Sequence, residues 1–191
     1  LAGFQENQQK ALFVEKFDRA KWDFSAIAPR IAASRAQAVL FIGSGVAVAD
    51  GITAIRKAGS RAQIITNSNN ASGGLVKSLG THAAGTIVTQ VFPYERSLAV
   101  AMVKEAMDLA KAKGLEGVSP AMLEGFTAAK VLVEALRRTG GKPTREQLQA
   151  ALEGMDRYDL GGLEVGYSPT DHTGLDFADL SIIGSDSKFR R

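Results

Sequence analysis

Apolar residues run in short blocks along this chain, and polar or glycine-rich turns punctuate them at regular intervals. The clearest case lies between Gln37 and Asn70. An apolar run, Ala38 to Ile42, breaks at Gly43-Ser44-Gly45. Helical periodicity follows from Val46 to Lys57 and ends at Gly59. A second apolar run, Gln63 to Thr66, breaks at Asn67-Ser68-Asn69-Asn70. This is the signature of strand, turn, helix, strand, turn. In a parallel sheet both polar turns fall at the carboxyl ends of strands, the edge where open α/β sheets bind ligands.

The flanking segments extend the pattern. Leu1 to Leu12 places Leu1, Phe4, Gln8, Ala11 and Leu12 on one helical face, Phe13 to Phe17 alternates as a short strand, and Asp18 to Trp22 is a polar connector. Asp23 or Ser25 is suited to cap a helix to Ser34, with Ile27 and Ile31 turned inward. Ser72 to Leu79 reads as a short helix closed by Gly80, and Gly85 to Val91 as a further strand. The order βαβαβαβ predicts a parallel sheet with right-handed crossovers.

At Phe92-Pro93-Tyr94 the character changes to three helical segments. Leu98 to Lys113 carries Val100, Val103, Met107 and Ala110 on one face. Ser119-Pro120 is an N-cap followed by a first-turn proline, for a helix to Arg138. Thr144 and Gln147 have the spacing of a capping box for a helix to Glu153. Strand character returns at Gly162 to Tyr167, then a turn at Ser168 to Gly174, then a strand at Phe177 to Ile183. Helix 121–138 is apolar around much of its circumference, as buried helices are. The block 95–155 gives it no strands to cover, so the expected partner sheet lies upstream of Leu1.

Composition narrows the function classes. The chain has 191 residues and a net charge of +3, from 23 basic and 20 acidic residues. That excess is small and evenly spread, which argues against a nucleic-acid partner. The absence of cysteine excludes disulfides, thiolate catalysis and cysteine metal sites. No apolar run reaches the length of a membrane span. The opening residues are polar, without a signal-peptide pattern, and Leu1 is not a start methionine; the expectation is a mature or truncated product.

The candidate chemistry sits in the two polar turns. Ser44 offers a hydroxyl, and the first amides of helix 46–57 suit an anionic group. The turn lacks the dinucleotide fingerprint and the phosphate-loop lysine. Asn67, Ser68 and Asn69 offer donors and acceptors, although asparagine and serine also dominate turns for backbone reasons. His82 and His172 are far apart, with no metal-ligand spacing, and Asp171-His172 has no serine in a nucleophile-elbow setting to complete a catalytic pair. Asp156, Asp159, Asp171, Asp176 and Asp179 lack calcium-loop spacing. The reading is a non-enzyme without metal or cofactor. Trp22 and Tyr94 are aromatic groups able to stack on a ligand.

Taken in order, several segments resemble the periplasmic substrate-binding proteins of ABC importers, in the leucine/isoleucine/valine-binding (type I) family. They are Asp23-Phe24-Ser25, the strand ending in Gly43-Ser44, Ile55-Arg56-Lys57-Ala58-Gly59, Leu79-Gly80 with Ala84-Gly85, and Phe92-Pro93. Further on come Glu124-Gly125-Phe126-Thr127-Ala128-Ala129-Lys130, Glu134-Ala135-Leu136, Pro143-Thr144-Arg145-Glu146, Leu160-Gly161-Gly162, His172-Thr173-Gly174 and Lys188-Phe189. The resemblance implies an α/β type I periplasmic-binding-protein fold, with this chain matching the family's C-terminal portion. Residues 1–91 would form a Rossmann-like parallel-sheet lobe, 92–94 a crossing, 95–167 the helical part of a second lobe whose N-terminal sheet is missing, and 168–191 a return to the first.

The resemblance also implies ligand contacts at Ser44, Gly45, Asn67, Ser68, Asn69 and Tyr94, and a hinge at Phe92, Pro93 and Tyr94. Amino-acid binders of the family commonly carry an acidic residue where Ser68 stands and an aromatic where Ser44 stands. Without a carboxylate, an α-ammonium loses its counter-charge, and burying an unpaired charge is costly. The expected ligand is therefore a small carboxylate, an aromatic acid or an amide. The implied partners are that solute and the membrane permease of an importer, in the periplasm or another extracytoplasmic setting. A homodimer that covers exposed lobe helices is a further expectation. A ligand-sensing module of the same fold, regulating a partner protein, is the alternative; an α/β enzyme would require a catalytic constellation that the sequence lacks.

Overall fold

The computed structural model describes residues 2–191. It is an α/β protein with a five-stranded and a three-stranded sheet. The strands of the larger sheet, β1 (Ala38–Phe41), β2 (Gln63–Thr66), β3 (Ile87–Gln90), β7 (Asp179–Ile183) and β8 (Phe189–Arg190), lie in that order. The chain groups into two compact units, with boundaries inside β3 and β7. One comprises residues up to 70, 74–87 and 182–190, the other 71–73, 88–181 and 191.

In the first unit, β1 and β2 pair in parallel, Val39 opposite Ile64 and Phe41 opposite Thr66. Helix α3 (Val46–Lys57) connects them and buries Val48, Ile52 and Ile55. Helix α2 (Ile27–Ser34) buries Ala28 and Ile31, and α4 (Gly73–Leu79) buries Leu75, Val76 and Leu79. Three tilted rings, Phe17, Phe24 and Phe41, pack with centroids 5.2 to 5.7 Å apart. Helix α3 closes on this cluster at Gly51, where an added Cβ would stand 2.4 Å from two Phe41 ring atoms. Ile183 joins the unit through reciprocal backbone bonds, its carbonyl accepting from Gly85 and its amide donating to Thr86. β7 and β8 are antiparallel.

The second unit is built on α5 (Ala101–Ala112), α6 (Pro120–Thr139) and α7 (Arg145–Glu153). Ser119 accepts from the Met122 amide at the start of α6, and Thr144 with Gln147 forms both bonds of the capping box of α7. Met102, Val103, Leu123, Val131, Ala135, Met155, Leu160, Leu163 and Val165 form one buried cluster. Helix α6 buries Leu123, Thr127, Val131 and Ala135, yet Met122, Leu132, Val133 and Leu136 remain exposed. One stripe of its apolar circumference is covered and the rest faces solvent.

Several expectations need correction. The first helix, α1, is only Ala2–Glu6, with Phe4 and Leu12 exposed, because its apolar face has no surface to pack on; Leu1 lies outside the described residues. Residues 13–17 alternate in burial but join no ladder, and Phe17 is held by ring packing instead. Neither Asp23 nor Ser25 caps α2: the cap position is Ala26, and the Asp23 carboxylate instead accepts from the Ser25 amide in the preceding turn. The 168–174 segment is mostly strand. β4 (Tyr158–Asp159), β5 (Glu164–Ser168) and β6 (Asp171–Gly174) make an antiparallel sheet, and the turn shrinks to a tight corner where Ser168 accepts from the Thr170 and Asp171 amides.

Candidate functional site

The two polar turns at the ends of β1 and β2 are stitched together. The side-chain amides of Asn69 and Asn70 both donate to the Gly43 carbonyl, at 3.3 and 3.1 Å. Asn70 is buried, and its Nδ2 also lies 3.0 Å from Thr66 Oγ1 and 3.1 Å from Asn67 Oδ1. The Thr66 hydroxyl in turn donates to the Phe41 carbonyl at 2.9 Å. A chain of hydrogen bonds thus runs from the second turn through the Thr66 side chain into the end of β1, and fixes the spacing of the two turns.

Fixed in this way, the turns leave polar groups in solvent. Ser44 and Gly45 are exposed, Ser68 is half-buried on a short 3₁₀ turn (Ser68–Asn70), and Asn69 is exposed. Gly45 adopts φ +62°, a conformation that a side chain would strain, and stands at the cap position of α3. No side chain caps that helix start, so its first amides are open to a hydrogen-bond acceptor.

Beside the first turn is an open hollow of about 410 Å³, lined by Phe17, Arg19, Ala20, Trp22, Ser44, Val46 and Ala47. Arg19 donates from Nη2 to Ser44 Oγ at 3.0 Å. The Trp22 indole N–H donates to Asp50 at 3.0 Å, which anchors the ring in the wall. The Asp18 carboxylate folds back to the Ala20 amide at 2.8 Å. Among the described residues, Arg19 forms no ion pair.

Two residues of this arrangement escape the sequence reading. Arg19 is hidden in a polar connector, 25 positions from the serine it reaches. Asn70, at the end of the turn that draws attention, carries the buried stitching.

Ser44, Gly45, Asn67, Ser68 and Asn69 all belong to the first unit, whereas Phe92, Pro93 and Tyr94 belong to the second. There, Phe92 and Pro93 are buried and Tyr94 half-buried. Arg191 donates to the Phe92 carbonyl, forms an ion pair with Asp179 at 2.9 Å, and places its guanidinium carbon 5.9 Å from the Tyr94 ring centroid. The neighbouring Glu95 is buried, with Arg96 Nε 4.0 Å away. Burial pushes its carboxyl above the ordinary glutamate range, partly offset by its own backbone bond and by Arg96 and Arg191.

Asp171 and His172 each bond to other partners. His172 meets Glu153 at 3.2 Å, and Asp171 spends its carboxylate on the amide and hydroxyl of Thr173. Among the described residues, no cluster of histidine, aspartate and glutamate is arranged to hold a metal.

Comparison with known proteins bears on the family and the fold. A family model described as periplasmic binding protein matches residues 8–177. The fold is similar to an extracellular ligand-binding receptor from Verminephrobacter eiseniae ef01-2, at 27% identity and a TM-score of 0.78, covering 91% of this chain and 49% of that one. It is likewise similar to a substrate-binding periplasmic protein from Ralstonia solanacearum, at 29% identity and a TM-score of 0.74, covering 87% and 48%. A branched-chain amino acid ABC transporter protein from Thermus thermophilus with bound valine shares the fold alone, at 16% identity, a TM-score of 0.74, and coverage of 99% and 53%. The chain thus spans about half the length of these proteins. No curated protein matches it.

Proposed function

Because this chain belongs to the periplasmic binding protein family, a family of solute-binding proteins rather than enzymes, we infer that it serves as the extracytoplasmic solute-binding component of an ABC importer. The family works outside the cytoplasm and delivers small molecules to membrane permeases. No helix among the described residues is long and apolar enough to cross a membrane. The single observation that carries the reading is the stitched pair of turns. The bonds from Asn69 and Asn70 to the Gly43 carbonyl hold Ser44, Gly45, Asn67, Ser68 and Asn69 on one strand-end edge, where open α/β sheets take ligands.

The ligand is a small carboxylate, an amide or an amino-acid-like solute; by the family resemblance it is held between two lobes of the full-length fold, and Tyr94 and the hinge 92–94 are part of that proposal. Closure follows from tighter binding to the closed state. Ser68 stands where an acidic partner for an ammonium is expected, so the valine of the Thermus thermophilus protein is a poor guide to the solute here.

Calorimetry of the chain against amino acids, aromatic acids and amides tests the reading. One class should bind, and Ser44→Trp, which fills the hollow beside the first turn, should abolish its binding. A panel without any binder would refute the assignment, and a solute that ignores Ser44→Trp would clear Ser44 of a role.

A further inference from the structure

The hollow beside Ser44 has a charge balance that selects its guest. Of its seven lining residues, five are apolar or aromatic: Phe17, Ala20, Trp22, Val46 and Ala47. Only Ser44 and Arg19 are polar, and Arg19 alone carries a formal charge. The guanidinium gives one bond to a neutral hydroxyl at 3.0 Å and, among the described residues, pairs with no carboxylate. Two carboxylates of these segments are already engaged: Asp18 with the amides of its own loop and Asp50 with the Trp22 indole. Arginine presents its donors in a planar fork matched to two carboxylate oxygens, and such bonds are among the strongest a binding site offers.

We propose that Arg19 and Ser44 form a clamp for the carboxylate of a monocarboxylic acid whose flat, apolar body lies against Trp22 and Phe17. The proposal rests on the solute-binding reading and names its substrate class and a residue, Arg19, that the turns alone do not supply. A carboxylate would receive Nη–H bonds from Arg19 and the hydroxyl hydrogen of Ser44, which is free because Ser44 Oγ acts as acceptor toward Arg19. The aromatic lining would take up the body, as apolar walls with a few placed polar groups do in small-molecule sites. A zwitterionic amino acid would fit worse, because the lining holds no anion to meet an α-ammonium.

The chain's one tryptophan lines the hollow, so the single indole N–H resonance in an NMR titration reports occupancy directly. Three probes share one skeleton: 3-phenylpropionate, its neutral amide 3-phenylpropionamide, and phenylalanine, which adds the ammonium. The acid should move the Trp22 indole resonance saturably. Both the amide and phenylalanine should bind at least about tenfold more weakly, a difference of about 1.4 kcal/mol. In Arg19→Gln, an exposed loop variant whose fold is checked by circular dichroism, the acid should fall to the level of the amide while the amide is unchanged.

Equal binding of acid and amide in the wild-type chain would overturn the clamp, as would an unaltered acid affinity in Arg19→Gln. An indole resonance that none of the three probes moves would overturn it as well. If some other solute in the calorimetric panel then binds, the solute-binding reading stands without the clamp; if none binds, both fall.

Discussion

Asn70 is the residue whose removal should most directly uncouple the two turns. Its side-chain amide is buried and lies within hydrogen-bond distance of three acceptors: the Gly43 carbonyl, Thr66 Oγ1 and Asn67 Oδ1. An amide nitrogen has two hydrogens, so it satisfies two of these fully at any moment. Asn70→Ala removes the donor. The Gly43 carbonyl retains only the longer 3.3 Å bond from Asn69, and Thr66 Oγ1 keeps its bond to Phe41 but accepts nothing.

Leaving buried acceptors unpaired costs about 1–3 kcal/mol. Stability should therefore fall by about 2 kcal/mol, or Tm by roughly 4–8 °C for a chain of this size. Urea denaturation gives the loss as a shift in midpoint with an unchanged slope. Asn70→Asp sharpens the test, because it keeps the shape and replaces the donor by an oxygen facing other oxygens. That carboxyl would be protonated more readily in the folded state than in the unfolded chain. Its penalty should therefore be greatest at neutral pH and shrink as pH falls through the carboxyl range. An Asn70→Ala midpoint within about 0.5 kcal/mol of wild type, the size of an ordinary surface substitution, would refute the stitching argument.

Other consequences are open to the same denaturation assay. Gly51→Ala should gain up to about 1 kcal/mol of helix propensity but lose about 1–3 kcal/mol to overpacking. Its Cβ would stand 2.4 Å from Phe41 ring atoms that Phe17 and Phe24 hem in, so a net stabilisation would contradict the packing described. Glu95→Gln should stabilise the protein at pH 7. The raised carboxyl pKa means that Glu95 favours folding most at low pH, below the unfolded value near about 4.3, and loses that contribution as pH rises through the folded value; a variant no more stable at pH 7 than at pH 4, relative to wild type, would show Glu95 to be well solvated. Thr144→Ala should cost about 1 kcal/mol by removing the capping box of α7.

The elements legible in the sequence are those specified by local chemistry. Helix α3 and strand β2 begin and end at the expected residues, because apolar periodicity and Gly59 mark them from within. The Ser119 cap and the Thr144–Gln147 box are equally local. Strand β6, Asp-His-Thr-Gly, has the composition of a turn and becomes a strand only by pairing with β5. Residues 13–17 show the converse: they have the alternation of a strand without a neighbour to bond. The two turns are visible as polar breaks after apolar runs, but what joins them is tertiary. Nothing in a polar connector announces that Arg19 reaches Ser44, and an asparagine in a turn carries no mark of being buried.

The central claim is that the ends of β1 and β2 form one solute-binding edge. Backbone amide chemical shifts of the whole chain, followed while the best solute from the calorimetric panel is titrated in, test it most directly. The amides of Ser44, Gly45, Asn67, Ser68 and Asn69 should move together and saturate with one dissociation constant. Shifts confined to other parts of the chain, with these five amides still, would contradict it.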